Sequence, residues 1–497
     1  MAKQQMAIEF PNAEGITQTA NGFYNPEGYK GLAAFHKYWG KKPTECWEFL
    51  IHELTHEGDL VVDPFLGSGL IAREALDLKR KFIGIDINPF SIELSKLLVN
   101  LPSSYEYESV LEHLQRDVKP LIDESYQIEN GQSATHYLWQ HTELTKVWLR
   151  GGRGRGRIEL CPTNFDIQLS NKYEGYNSRH IRSPKFFTNS RINARQDLSL
   201  NDLFTGRALR NIDLILDFIF QQPKKLHRPL LLTLTAASGQ MTKMVFAVRR
   251  RGKMSGKKSD KIEVGSWVIG YWRPELHFEV NAWNCFENRA RKFLKAIQKI
   301  DDIRQIEINE SLTDVLTNGK SISLIENDSV EVLKKLPDGC VKLVLTDPPH
   351  GDRVPYLELS EMWNSILGKT VNFEKEIVIS NALERKYASV MQYEKRMVEF
   401  YTQAARILDE DGCLAVLFNA REKSHWCSIE SLQNQLHYIG CFPMNYSARS
   451  VVQDNRKGGL KQDYVLIFSK NLEKKHNKKI RDKFAIMRDW NPNLPTK

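Results

Sequence analysis

The sequence holds little that would staple or anchor it. Its 497 residues include seven cysteines, at 46, 161, 285, 340, 413, 427 and 441. The number is odd and none of them forms a C-x-x-C. That spacing argues against a zinc ribbon and against a disulfide framework, and it fits a reducing cytosol. No stretch reaches the ~18 apolar residues of a membrane span. The run LLLTLTAA, Leu230 to Ala237, is too short for one. The N-terminal MAKQQMAIEFPNAEG lacks the apolar centre of a signal peptide. No internal repeat is visible. A cytoplasmic globular chain with no membrane partner is the expectation.

What is present is an ordinary core composition and a surplus of positive charge. Hydrophobic residues make up 41%, enough to bury a sizeable core, and the length suits roughly two or three domains. Lys and Arg number 70 against 61 Asp and Glu, for a net charge of +9. That surplus favours an acidic partner, most simply nucleic acid, through phosphate neutralisation. On charge alone, a merely basic soluble protein is equally open.

The chain is patterned as one sheet written in two pieces. GDLVVDPFLGSG reads as a buried strand ending in a glycine turn, and LIAREALDLKR as a helix. KFIGIDINP reads as a second strand and FSIELSKLLVN as a second helix. Strand, turn, helix, strand and acid form the first half of a doubly wound α/β sheet. The rhythm breaks over roughly 102–315, which holds the run GGRGRGR, a polar loop-rich stretch and a basic loop from Arg249 to Lys261. Within it LSLNDLFTGRALRNIDLILDFIFQQ predicts a helix capped by Ser199 or Asn201. The rhythm resumes near Ile322 with SISLIENDS and VKLVLTDPP as strands. MVEFYTQAARILDEDG then reads as a helix ending at Gly412, CLAVLFNA as a strand, IESLQNQLHYIG as a helix and DYVLIFSK as the last strand. The predicted architecture is a doubly wound, mostly parallel, Rossmann-like α/β sheet. It divides into 1–110, an inserted α+β domain at 111–315, a second half at 316–472 and a basic tail at 473–497.

Two turns carry the chemistry. The first is Asp63-Pro64-Phe65-Leu66-Gly67-Ser68-Gly69, with Asp86 ending the next strand at the spacing where an acid meets ribose hydroxyls. Gly67-x-Gly69-x-x-Ala72 also satisfies a loose dinucleotide fingerprint. An acid and a ring crowd this turn and would repel a pyrophosphate, which points instead to a cationic ligand such as S-adenosylmethionine. The second turn is Asp347-Pro348-Pro349-His350. Neither proline has an N–H and both fix φ, so the turn presents acceptors: the Asp347 carboxylate and nearby carbonyls. Acceptors suit a planar exocyclic amine, and the His350 ring is available to stack on a flipped base. Asp328, in IENDS, is a candidate acceptor for an adenine amino group or a helix cap, or both.

These residues resemble the amino-group DNA methyltransferases. That family's cofactor motif, D-P-F-x-G-S-G, matches Asp63 to Gly69, and its catalytic motif, [DNS]-P-P-[YFWH], matches Asp347 to His350. HKYWGKKP, His36 to Pro43, is similar to the stretch that precedes the glycine turn, with Lys37 as its candidate cofactor contact. A narrower likeness is to the adenine-specific methylases with a DUF1156 domain, through Val354-Pro355-Tyr356, Leu359-Ser360 and the insertion segments LNDLFTGRAL and ELHFEVNAWNCFENR. The chain departs from that group at His350, where Tyr is commonest, and in lacking cysteine pairs in the insertion, so no metal is expected. The order of cofactor half, insertion and catalytic half is that of the α class. It makes 1–110 and 316–472 the two methyltransferase halves and 111–315 the target-recognition domain.

The resemblance implies a methyl transfer from S-adenosylmethionine to the N6 of a flipped adenine in double-stranded DNA, with cytosine N4 as the nearest alternative. Asp63, Pro64, Phe65, Gly67, Gly69, Asp86, Asp328 and Lys37 would hold the cofactor, and Asp347, Pro348, Pro349 and His350 the base. Arg153, Arg155 and Arg157 and Arg249, Arg250 and Arg251 are candidate phosphate contacts, or else solvated loops. A cognate restriction endonuclease is an implied partner. Two further readings stay open: a tRNA guanosine-N2 methyltransferase, since DPPHG is similar to D-P-P-Y-G, and a non-catalytic DNA-binding subunit.

Overall fold

Short apolar runs, buried along nearly their whole length, build the centre of the molecule. A computed structural model describes residues 23–24, 29–152, 156–248, 262–300, 305–418, 427–445, 462–471 and 473. Eight strands form one sheet: β1 (Phe23–Tyr24), β2 (Leu60–Asp63), β3 (Lys81–Asp86), β4 (Ile322–Glu326), β5 (Val341–Thr346), β6 (Leu408–Phe418), β7 (His437–Asn445) and β8 (Gln462–Ser469). Their order is β1-β7-β8-β6-β5-β2-β3-β4, and only β8 runs antiparallel to its neighbours. Chain order runs outward from β2 through β3 to β4 on one side, and through β5 to β6 on the other. The topological switch point therefore lies between β2 and β5, which pair in parallel at Leu343–Val61 and Val344–Val62. Such a point opens a crevice at the carboxyl ends of the two strands. Asp63 closes β2, and Asp347 directly follows β5.

Alternation sorts the strand residues into two cores. Val61, Phe82, Leu343, Leu345, Ala415 and Ile467 face one way, and Val62, Ile83, Val344, Leu414, Val416 and Leu466 the other. The second face is covered by the helix Val390–Ile407, through Met397, Phe400 and Ala404. The first is covered by Thr44–Leu54, Leu70–Asp77 and Pro89–Val99, and its core runs unbroken into the stretch between β3 and β4. That stretch has its own antiparallel sheet, in the order Arg157–Leu160, Glu143–Arg150, His136–Gln140 and Leu276–Val280, with long helices at Gly206–Gln221, Lys224–Ser238 and Ala282–Ile297. Its centre holds a buried ion pair. Arg207 Nε and Nη2 each donate to Glu279 at 2.8 Å, and the guanidinium lies over Tyr137, 4.0 Å from the ring centre. Thr205 and Trp139 donate to the same carboxylate, so neither charge is stranded.

Four sequence expectations shift. The helix predicted through LSLNDLF starts only at Gly206: Asn201–Leu203 is a 3-10 turn, and the cap is Thr205, whose Oγ1 accepts from Ala208 N. The helix predicted to Gly412 ends at Ile407, because Leu408 already pairs with Val341 as β6 begins. In IESLQNQLHYIG only the first part is helical; His437 to Gly440 belong to β7, drawn into the sheet by pairing with β8. The helix Ser104–Asp117 runs across residue 110, where the insertion was expected to begin. Among the described residues no helix is long and apolar enough to cross a membrane.

Candidate active site

The switch point opens into a cleft of about 840 Å³, lined by the glycine turn, by Asp63, Asp86, Asp328 and Asp347, and by the rings of Tyr38, Phe65 and Tyr356. Asp63 reaches it because β2 is buried along its whole length and ends there. Its Oδ1 accepts from Phe65 N (3.1 Å) and Thr346 Oγ1 (2.8 Å), while its buried Oδ2 has no hydrogen-bond partner. Burial pushes this carboxyl up to about 8, against the two hydrogen bonds that favour its charge. A buried orphan acceptor is costly unless something donates to it.

The glycine turn is shaped by backbone demands. Gly67 and Gly69 have φ of 51° and 74°, which a side chain resists. A Cβ on Gly69 would also lie 2.2 Å from Ser95 Oγ, so the glycine sets how closely the helices Leu70–Asp77 and Pro89–Val99 approach. Asp86, at the end of β3, ties the turn down: Gly67 N donates to its Oδ2 at 2.7 Å and Asn88 N to its Oδ1 at 2.8 Å. Burial raises this carboxyl to about 6. Pro64 is held through its carbonyl, which accepts from Ser329 Oγ. Phe65 packs edge-on against Phe400.

Asp328 turns out to be both cap and ion-pair partner. It accepts from Val330 N at 2.9 Å and from Arg396 Nη2 at 2.6 Å, so its carboxylate is largely occupied within the chain. Asp347 is held differently. Lys42 Nζ lies 2.6 Å from its Oδ2, and Lys42 also donates to the Gly40 carbonyl. The Lys42 side chain is 3% exposed, that of Asp347 20%. Pro349 lines the cleft and its carbonyl accepts from Tyr393 Oη at 2.6 Å; Pro348 is not among the lining residues.

His350 and Lys37 require correction. The His350 ring is buried behind Asp347, with Nε2 3.1 Å from Asp347 Oδ1 and 3.2 Å from the Leu417 carbonyl, and its edge meets Phe418. Two nearby acceptors and an aromatic neighbour draw the imidazole inward, so it presents no face to the cleft. The aromatic rings lining the cleft include Tyr38 and Tyr356, stacked on each other with centroids 5.8 Å apart at 18°. Lys37 also lies outside the cleft: its Nζ sits 4.5 Å over the Trp267 ring, and burial lowers its pKa to about 7. Lys42, Tyr38 and Tyr356 are the residues missed as site candidates. Two stand in HKYWGKKP and the third in Val354-Pro355-Tyr356, so the motifs contained the signal without telling which side chains face inward.

Among the arginine candidates, Arg157 is already engaged. It pairs with Glu159 at 2.7 Å, donates to the Ile262 carbonyl and stacks on Trp148 at 3.7 Å. Arg153, Arg155, Arg249, Arg250 and Arg251 lie outside the described residues, as does nearly all of the basic tail.

The donor set discriminates between ligands. Lys42 offsets Asp347 and Arg396 offsets Asp328, whereas Asp63 and Asp86 have no cation in reach among the described residues. Two uncompensated acids beside a left-handed glycine turn fit a ligand that carries positive charge, as S-adenosylmethionine does, and disfavour a pyrophosphate.

Comparison with known proteins agrees with this chemistry. Residues 10–97 match the N6/N4 methyltransferase family model, described as DNA methylase. The type II methyltransferase M.HpaI of Haemophilus parainfluenzae is 38% identical over 84 residues, 17% of this chain and 26% of that protein. M2.LlaDCHI of Lactococcus lactis subsp. cremoris is 37% identical over 73 residues, 14% of this chain and 27% of that one. M2.DpnII of Streptococcus pneumoniae is 39% identical over 64 residues, 12% of this chain and 24% of that one. The chain thus spans about a quarter of the length of these relatives. The likeness to the N6/N4 DNA methylase family model is confined to residues 10–97, the segment that holds the glycine turn and Asp86.

Proposed function

We propose that the protein transfers a methyl group from S-adenosylmethionine to an exocyclic amine of a base in double-stranded DNA. The observation that carries this is the meeting, in one cleft at the switch point, of two uncompensated acids on the cofactor side and an ion-paired acid on an Asp-Pro-Pro turn. When bound, S-adenosylmethionine supplies the methyl group. Asp63, through its free Oδ2, and Asp86 are the acids that would hold the cationic cofactor, with Gly67 and Gly69 giving backbone access.

Asp347, which lines the cleft, accepts from the amine N–H and orients the nitrogen. Lys42 fixes the Asp347 carboxylate without competing for the target, since an ammonium cannot accept a hydrogen bond. Tyr356, whose ring lines the cleft and is backed by Tyr38, is the aromatic group beside which a flipped base would lie. His350 is a positioning residue behind Asp347. The contribution of these groups is mainly geometric, because a base fixed in line for attack has already lost its orientational freedom.

Adenine N6 is preferred over cytosine N4 because the turn opens with Asp and because of the narrower likeness to DUF1156-type adenine methylases. The division into two methyltransferase halves around a target-recognition insertion belongs to the same proposal, as do a cytoplasmic setting and a cognate endonuclease. The test is to incubate unmethylated DNA with the protein and S-adenosylmethionine, digest it and analyse the nucleosides by mass spectrometry. N6-methyladenine is expected from the parent chain and none from Asp347→Ala. N4-methylcytosine would reassign the base. Transfer to tRNA but not to DNA would overturn the substrate, and absence of cofactor binding would leave a DNA-binding subunit.

A further inference from the structure

A second cavity, of about 540 Å³, lies on the far side of the helix Tyr356–Ile366, between the insertion and the catalytic half. It shares no lining residue with the first cleft. Its walls are aromatic: Phe186 stacks on Tyr271, with centroids 4.1 Å apart at 23°, and Phe187 meets Phe373 edge-on.

One polar group in this wall is unsatisfied. Glu361 also lines the cavity, and its side chain is 6% exposed. Its Oε1 accepts from Arg182 Nη2 at 3.2 Å, whereas its Oε2 has no hydrogen-bond partner. The neighbouring Glu358 shows the contrast: it lines the same cavity, but Asn189, Ser380 and Arg385 donate to its two oxygens. Burial drives the Glu361 carboxyl up to about 7, a second sign that it lacks compensation. At the rim stand two cationic side chains, Arg182 and Lys185, 44% and 73% exposed; Arg182 Nη2 also donates to the Lys369 carbonyl at 2.9 Å, and Lys185 pairs with Asp197 at 3.0 Å, exposed contacts that a phosphate would exchange for its own.

We propose that this cavity binds a nucleotide, its base between the aromatic walls, an N–H edge of the base donating to Glu361, and its phosphate on Arg182 and Lys185. Flat aromatic walls take any base face. The acceptor selects for N–H donors, and guanine, with two adjacent donors on one edge, suits a carboxylate best. The occupant is either a free nucleotide or a nucleotide extruded from a nucleic acid; the chemistry is the same. The proposal does not depend on the reading of the first cleft.

The test is equilibrium dialysis of labelled dGMP against the full chain and its Glu361→Gln variant, which keeps the side chain's shape. Saturable binding by the parent, weakened about tenfold or more in the variant, is expected. Lys185→Ala, an exposed change that leaves the fold intact, should weaken dGMP more than deoxyguanosine. Displacement of dGMP by a short DNA duplex would identify the source as extruded DNA, and its absence a free nucleotide. No saturable binding at millimolar dGMP, or equal binding by the Gln variant, would overturn the proposal.

Discussion

Two acids at the ends of neighbouring strands make the instructive comparison. Asp63 ends β2 and Asp347 follows β5; each is followed by proline, and both line one cleft. Asp63 is fully buried, has one oxygen without a hydrogen-bond partner and no cation in reach among the described residues, and is pushed up to about 8. Asp347 is partly exposed and sits 2.6 Å from a buried lysine. The same local sequence thus yields two different instruments. An acid without a counter-ion is suited to wait for a cationic ligand. An acid whose charge is already balanced is suited to accept from a neutral amine.

The comparison breaks most visibly at Asp347. Asp347→Asn presents an NH₂ donor beside the target amine and removes the charge that pairs with Lys42. Methyl transfer should fall on the order of 10²-fold or more while cofactor affinity, read by calorimetry, stays as in the parent. A parallel loss of cofactor binding would show that the two acids do not divide the work.

Asp63→Asn should do the reverse: cofactor affinity drops about tenfold and kcat at saturation changes little. The pH dependence sharpens this. Asp63 becomes charged only as pH rises through about 8, so cofactor affinity of the parent should climb across that range, and that component should vanish in the Asn variant. Stability runs the other way. Between about 4 and 8 the folded state holds a proton that the unfolded state has released, so this group lowers stability as pH rises through that window. Thermal melting at pH 8 should therefore find ligand-free Asp63→Asn at least as stable as the parent. A lower melting temperature would contradict the burial argument.

Lys42→Met should cost about tenfold in kcat with KM for the cofactor unchanged, since it loosens Asp347 rather than removing it. The smallest effect is expected at His350. Because the ring backs Asp347 and packs on Phe418, His350→Phe should retain activity within severalfold. A loss as large as that of Asp347→Asn would return His350 to direct contact with substrate.

Much of the sheet was readable because apolar runs such as LVV and KLVLT end abruptly in Asp-Pro, and a buried parallel strand leaves that trace. The errors share a cause. HYIG follows a helical stretch without a break, and only its pairing with β8 makes it a strand. Leu408 likewise leaves its helix because Val341 lies beside it. Lys37 and Lys42 stand five positions apart in one basic stretch, and no local pattern tells which reaches the cleft.

By itself, the sequence determined which residue types sit at the strand ends: the two Asp-Pro turns, the glycines and the acid at 86, because strand, turn and acid are local properties of adjacent residues. Tertiary structure alone decided their partners. It set Lys42 against Asp347 across three hundred residues, left Asp63 Oδ2 bare, turned His350 inward and opened the cavity beside Glu361. Charge compensation and burial depend on what other elements bring within a few ångströms, and that distance is fixed only when the two halves of the sheet and the stretch between them close on one core.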